Sequence, residues 1–362
     1  MPLHALKTVL DIEPYKGGEA SLPGFAKPVK LASNENPFGC SPKAKAAAIA
    51  ALDNTALYPE GRASKLCAAI GARHGLDPDR ILCGAGSDEI FQLLLRAYLA
   101  PGEEIVQSQY AFLMYRIFAR PMGGVVRTAK NAGLRADVDA LLAEVNEKTR
   151  IVFLDNPNNP TGTYLPMSEV RRLHAALPDT VMLVIDAAYA EYVTRDDYSA
   201  GAELAEAYDN VVMTRTFSKI HGLAALRVGW MYGPPAVIDA LNKVRLPFNV
   251  ATPAQAAAAA AIEDLAFAEE SRAHNERERT RVGAAISSFG LDVADGVGNF
   301  VLVHFTREAG RTAGDVDQRL RSRGYIVRPV GAYGLPDALR ISIGTEAQNS
   351  GMLAALAEIG WR

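Results

Sequence analysis

The sequence predicts an α/β protein: a large unit built on a mostly parallel sheet, and a smaller α+β unit. Three observations predict it. From about residue 41, short apolar runs rich in branched residues alternate with helical stretches. That alternation stops after "LPFNVATPAQ", and the chain of 362 residues is longer than a single core usually supports.

Six runs read as strands buried on both faces, because they are apolar throughout and too short for helices. They are "RILCGAGS" (80–87), "EEIVQSQ" (103–109), "RIVFLDNP" (150–157), "VMLVIDAAY" (181–189), "NVVMTRTFS" (210–218) and "RVGWMYG" (227–233). Helical stretches such as "SDEIFQLLLRAYLA" and "MSEVRRLHAAL" fall between them. Past "LPFNVATPAQ" come an alanine-rich helix (256–261), a charged helix "SRAHNERERTRVGAAISSFG" and strand-like "NFVLVHF", "YIVRPV" and "ALRISIG". Alanine is a strong helix former, and the 271–282 charge run reads as a solvated helix face. The expected units are 41–250 for the large one, and 1–40 with 251–362 for the small one, which both termini build.

Composition narrows the function. With 49% hydrophobic residues, 22% charged residues and a net charge of −3, the chain is an ordinary globular one. It has no basic run or basic-aromatic stripe, which argues against nucleic acid. Its N-terminus lacks the pattern of a signal peptide, and no apolar run approaches the roughly 20 residues that span a bilayer. Cys40, Cys67 and Cys83 lack metal-ligand or CxxC spacing, so no metal site is expected and a reducing, cytoplasmic location is.

In an open α/β sheet ligands bind beyond the carboxyl ends of the strands, and polar residues collect at four of those ends. "GAGSDE" (84–89) opens a helix whose free N–H groups can hold a phosphate. It half-matches GxGxxG, but Glu89 stands at the third glycine position and would repel a pyrophosphate, so a phosphate monoester fits better than a dinucleotide. Asp186 ends the apolar run "VMLVID", where a carboxylate is costly unless donors or a cation meet it. Asn159 sits in the turn "NNPTG", and Lys219 follows "TFS" with Arg227 eight residues on. Singly these residues read equally as caps, turns and a surface lysine. Together they are an imine-forming amine, a partner for a protonated ring nitrogen, a phosphate cup and an arginine beside it, which are the needs of pyridoxal phosphate.

The motifs "EPYKGG", "LASNENPFG", "LYPEG", "GAGSDEI", "DNPNNPTG", "DAAYAEY", "RTFSKIHGLAALRVGW" and "YGLPDALRISIGT" occur in family order, and the chain resembles the fold-type I aminotransferases and, among them, the histidinol-phosphate aminotransferases. The resemblance implies a seven-stranded, mostly parallel sheet and catalytic roles for Lys219, Asp186 and Tyr189. Lys219 would form the Schiff base of a ping-pong cycle, Asp186 would pair with the ring nitrogen, and Asn159 and Tyr189 would bond the ring oxygen. Gly86, the backbone of Ser87 and Asp88, the hydroxyls of Thr216 and Ser218, and Arg227 would hold the phosphate. Phe112, in "YAFLMY", is assigned to stack on the ring where many members place a tyrosine, with Tyr110 as the competing assignment. Tyr58 would reach the phosphate of a neighbouring subunit, which makes a homodimer with shared active sites part of the reading.

Tyr15, Asn34, Arg328 and Arg340 are the implied substrate-binding residues, with the arginines gripping an anion of either substrate. The implied reaction moves an amino group between L-histidinol phosphate and 2-oxoglutarate, giving imidazole-acetol phosphate and L-glutamate. An aromatic amino acid aminotransferase is the alternative within the class. A nicotinamide-dependent oxidoreductase, resting on "GAGSDE", and a non-catalytic pyridoxal-phosphate-binding protein are the alternatives outside it.

Overall fold

The computed structural model describes residues 3–15 and 17–361. Its central sheet has seven strands: β1 Ile81–Gly84, β2 Glu104–Ser108, β3 Val125–Ala129, β4 Thr149–Asp155, β5 Met182–Asp186, β6 Val211–Thr216 and β7 Gly229–Tyr232. They lie in the order β1-β7-β6-β5-β4-β2-β3, and only β7 runs antiparallel to its neighbours.

The continuous apolar runs have a simple cause, because successive strand residues enter different cores on the two faces. Val152, Leu154, Leu183, Ile185, Val211 and Met213 belong to one core, and Ile151, Phe153, Met182, Val184 and Val212 to the other. The unforeseen strand, β3, is the sheet's edge. It leaves Val125 exposed and carries Arg127, so it shows no apolar run to read.

The second sheet is antiparallel, in the order β10-β11-β9-β8, with β8 Asp292–Val293, β9 Phe300–His304, β10 Arg328–Pro329 and β11 Ala338–Ser342. The N-terminal stretch Val29–Lys30 pairs in parallel with Tyr325–Ile326, and Leu31 enters the core of this sheet beside Val301, Ile341 and Met352.

Two helices depart from expectation. The alanine-rich helix Thr252–Glu263 packs on the helices Pro42–Ala51 and Ser64–His74, and its Ala254, Ala257, Ala258 and Ala261 lie in the core of the large sheet. Small side chains let helices approach closely but do not reveal which core they join. We therefore place the divide between the two units after Glu263 rather than at residue 250. The charged helix Leu265–Ser288 is solvated on one side only: Ser271, His274, Asn275, Glu278 and Val282 form a buried stripe. Glu278 accepts from Asn349 Nδ2 at 2.8 Å, His274 Nε2 meets the Gly344 carbonyl at 2.9 Å, and Asn275 Nδ2 donates to the Gly298 carbonyl while its Oδ1 has no partner.

Candidate active site

Strand register creates the site. Asp155 of β4 pairs with Asp186 of β5, Asp186 with Thr214 of β6, Thr216 with Gly229 of β7, and Gly229 with Gly84 of β1. The polar strand ends thus stand in one row, and a cavity of about 170 Å³ opens over them. Ser87, Asp88, Phe112, Asn159, Asp186, Tyr189, Thr216, Ser218, Lys219 and Arg227 all line it.

At one end Gly86, at φ 80°, precedes the helix Ser87–Tyr98, whose first N–H groups no Gly86 side chain can cap. A Cβ on Gly229 would stand 2.3 Å from the Ser87 nitrogen, so close backbone approach requires that glycine, whereas Gly86 is favoured by its φ of 80°, with Arg227 Nη2 2.4 Å from where a Cβ would stand. Arg227 Nη2 bonds Asp88 Oδ2 at 3.1 Å, and its Nη1 bonds the Ala224 carbonyl at 3.1 Å and Ser218 Oγ at 3.5 Å. Burial pushes the Asp88 carboxyl above its ordinary range, with Arg227 opposing. Glu89 folds back to accept the Ala85 N–H and the Asn249 amide, away from the helix mouth.

At the other end burial raises the Asp186 carboxyl to about 6, even though Tyr115 Oη at 2.7 Å and Thr214 Oγ1 at 3.3 Å donate to it. Phe112 flanks this end, and its N–H donates to Asp155 Oδ2, which also accepts from Asn158 Nδ2 and the Asn159 N–H. Tyr110 lies instead with the Leu302 and Tyr333 core, so Phe112 is the aromatic over the cavity.

Lys219 Nζ donates to the Ser33 carbonyl at 3.1 Å and sits 5.7 Å from the Tyr189 ring centre. Burial first, and then the charge of Arg340, lower its amine to about 8. Tyr189 Oη accepts from Asn34 Nδ2 at 2.9 Å, and burial raises its hydroxyl to about 12. Arg340 is buried; it donates to Asn159 Oδ1 and, at 2.7 Å, to the Ala32 carbonyl, while its Nε is without a partner.

Four expected residues lie elsewhere. Asn34 stands behind Tyr189 and not on the cavity wall. Tyr15 and Arg328 stack at 5.5 Å and line a separate recess with Arg116 and Arg120. Tyr58 is 82% exposed, stacked on Phe248. Tyr115, Thr214 and Asp155 carry no signal in the sequence that marks them as part of the site. A buried aspartate signals that donors exist, but nothing in the order of residues says which.

The donor set fits pyridoxal phosphate: an uncapped helix start with an arginine, an acid that needs a cation, and a lysine tending to neutrality within one cavity. Residues 26–356 match the family "Aminotransferase class I and II". The chain is 52% identical to the histidinol-phosphate aminotransferase of Maricaulis maris, over 96% of each chain. It is 53% identical to that of Rhodospirillum centenum, over 97% of this chain and 96% of the other. A solved histidinol-phosphate aminotransferase from Sinorhizobium meliloti, in complex with pyridoxal-5'-phosphate, superposes with a TM-score of 0.91 at 29% identity, over 99% and 98% of the two chains. The chain therefore belongs to the class I and II aminotransferases, and within them to the histidinol-phosphate aminotransferase family.

Proposed function

We propose that this protein transfers an amino group from L-histidinol phosphate or L-glutamate to the 2-oxo partner of the other, as a step of histidine biosynthesis, with pyridoxal phosphate at the Lys219 site. The observation that carries this reading is Lys219 standing in one cavity with Asp186 while Arg340, a buried arginine with an unpartnered Nε, donates to Asn159 on the cavity wall.

Pyridoxal phosphate, when bound, supplies a protonated ring that withdraws electrons from the substrate carbon. Asp186, ionised above about 6, holds the proton on the ring nitrogen. Lys219 Nζ, lowered to about 8, has a sizeable neutral fraction near that pH, so it can attack an aldehyde carbon and later take and return the proton at the substrate carbon. Ser87, Asp88, Thr216, Ser218 and Arg227 hold the phosphate. Tyr189 and the Asn159 amide donate to the ring oxygen, and Phe112 covers the ring. Arg340 grips the carboxylate of glutamate or the phosphate of histidinol phosphate, so one anion pocket serves both halves of the cycle.

The protein acts as a homodimer, with Tyr58 reaching the partner's phosphate. Leu57, Tyr58, Leu246 and Phe248 are all exposed together on the face that would meet a second copy. Among the described residues no helix is long and apolar enough to cross a membrane, and a cytoplasmic location accords with the three free thiols.

The test is an absorbance titration of the pyridoxal-phosphate-loaded protein with L-histidinol phosphate beside one with L-phenylalanine. Bleaching of the visible band at far lower histidinol phosphate is expected. Equal or better response to phenylalanine would replace the substrate assignment with an aromatic one, and no visible band at all would remove the cofactor.

A further inference from the structure

The Tyr189 hydroxyl carries one proton and two lone pairs, and its neighbours decide which of these faces the cavity. Asn34 is buried behind it in the left-handed region at φ 56°, a conformation that asparagine tolerates better than most residues. The Asn34 backbone N–H donates to Ser342 Oγ at 2.8 Å, and Ser342 Oγ in turn donates to Asn34 Oδ1 at 2.8 Å. Ser342 Oγ, which already accepts the Asn34 N–H, has its proton directed to Oδ1, and in this arrangement Nδ2 is the end that faces Tyr189 Oη, at 2.9 Å. The Asn34 carbonyl is fixed as well, accepting from Asn299 Nδ2 at 2.9 Å. An N–H therefore occupies a lone pair of the tyrosine, and its own proton is left to donate into the cavity that Tyr189 lines.

We propose that Ser342 is a positioning residue which, through the Asn34 amide, holds the Tyr189 hydroxyl as a hydrogen-bond donor toward the ring oxygen of the bound cofactor. The proposal rests on the functional reading above and deepens it. Ser342 and Arg340 stand two residues apart on β11 and so share a face of that strand. One strand of the small sheet thus presents the substrate-gripping arginine and sets the direction of a hydroxyl 153 residues away in sequence, Tyr189 to Ser342.

The experiment loads the protein with pyridoxal phosphate and follows the pH midpoint of its visible absorption band. A donor to the ring oxygen favours the ionised form of that oxygen. In Ser342→Ala the amide is free to turn its oxygen toward Tyr189, which then donates away from the cavity, and the midpoint should rise by about one pH unit. Tyr189→Phe should raise it too, and adding Ser342→Ala to Tyr189→Phe should move it no further. If Ser342→Ala does not fold, Asn34→Gly takes its place in the same cycle, because glycine accepts φ 56° and keeps the backbone N–H and carbonyl bonds.

An unchanged midpoint in the serine variant, or a shift of the same size with and without the tyrosine hydroxyl, would overturn the proposal, since a purely structural serine predicts one or the other. A wild-type protein without any visible band would overturn the functional reading itself, an outcome distinct from both.

Discussion

Tyr115→Phe isolates one hydroxyl on one charge. Tyr115 is fully buried, stacked on Phe153 at 4.5 Å and edge-on to Phe91 at 5.1 Å, so the phenyl ring keeps the packing and only the 2.7 Å bond to Asp186 is lost. A hydrogen bond to a charged group contributes about 1.5–3 kcal/mol, and one between neutral groups about 0.5–1.5. The difference, about 1–1.5 kcal/mol, corresponds to about one pH unit, so the folded-state value of Asp186 should climb from about 6 by that amount.

The sign follows from linkage. The folded value lies above the ordinary 3.8, so this group's stabilising contribution is complete below 3.8 and is lost as pH rises through about 6. In the variant the loss continues for about one further pH unit. Thermal unfolding of cofactor-free protein, followed by circular dichroism from pH 5 to 8, should therefore show a gap between the two proteins that widens with pH. A gap constant across that range, or none, would refute the claim that Tyr115 serves the charged form of Asp186.

Other perturbations test the remaining contacts. Lys219→Ala should abolish turnover while circular dichroism and thermal unfolding show a retained fold; steady-state transamination by it would sink the assignment of the nucleophile. Gly86→Ala forces a side chain onto φ 80° and against Arg227 Nη2, a backbone cost of about 1–3 kcal/mol, so equilibrium dialysis should show pyridoxal phosphate held roughly tenfold or more weakly. Arg340→Ala should raise KM for glutamate and for histidinol phosphate together, and a rise confined to glutamate would break the shared-pocket argument. Tyr58→Ala and Phe248→Asp together should lower the dimer fraction in sedimentation, whereas an unaltered dimer would move the interface elsewhere.

What could be read from sequence was whatever depends on local pattern. Strands buried on both faces show as unbroken apolar runs, Lys219, Asp186 and Asn159 are conspicuous because each is polar just where such a run ends, and Arg227 because it follows Lys219 by eight residues at the head of the next run. What could not be read depends on the third dimension. Tyr115 meets Asp186 only through the way the helix Leu113–Ala119 lies over the sheet. Asn34 and Ser342 are 308 residues apart and join only because the N-terminal segment docks on the small sheet. The charged helix hides a buried stripe because its polar residues find partners in Gly344 and Asn349, which no periodicity of charge reveals.

The electrostatics of the cavity give the last step. Burial moves Asp186 up to about 6 and Lys219 down to about 8, so it presses both groups toward neutrality. Left to pair with each other, an acid and an amine would move in opposite senses, each favouring its charged form. Here the lysine answers to Arg340 before any acid, and the aspartate to Tyr115, then to the like charge of Asp88, then to Thr214. An acid so placed favours a ligand that brings its own cation, and an amine so placed favours a carbonyl. A protonated pyridine that carries an aldehyde meets both demands in one molecule, with the helix start at Ser87 and the arginine at 227 left for its phosphate.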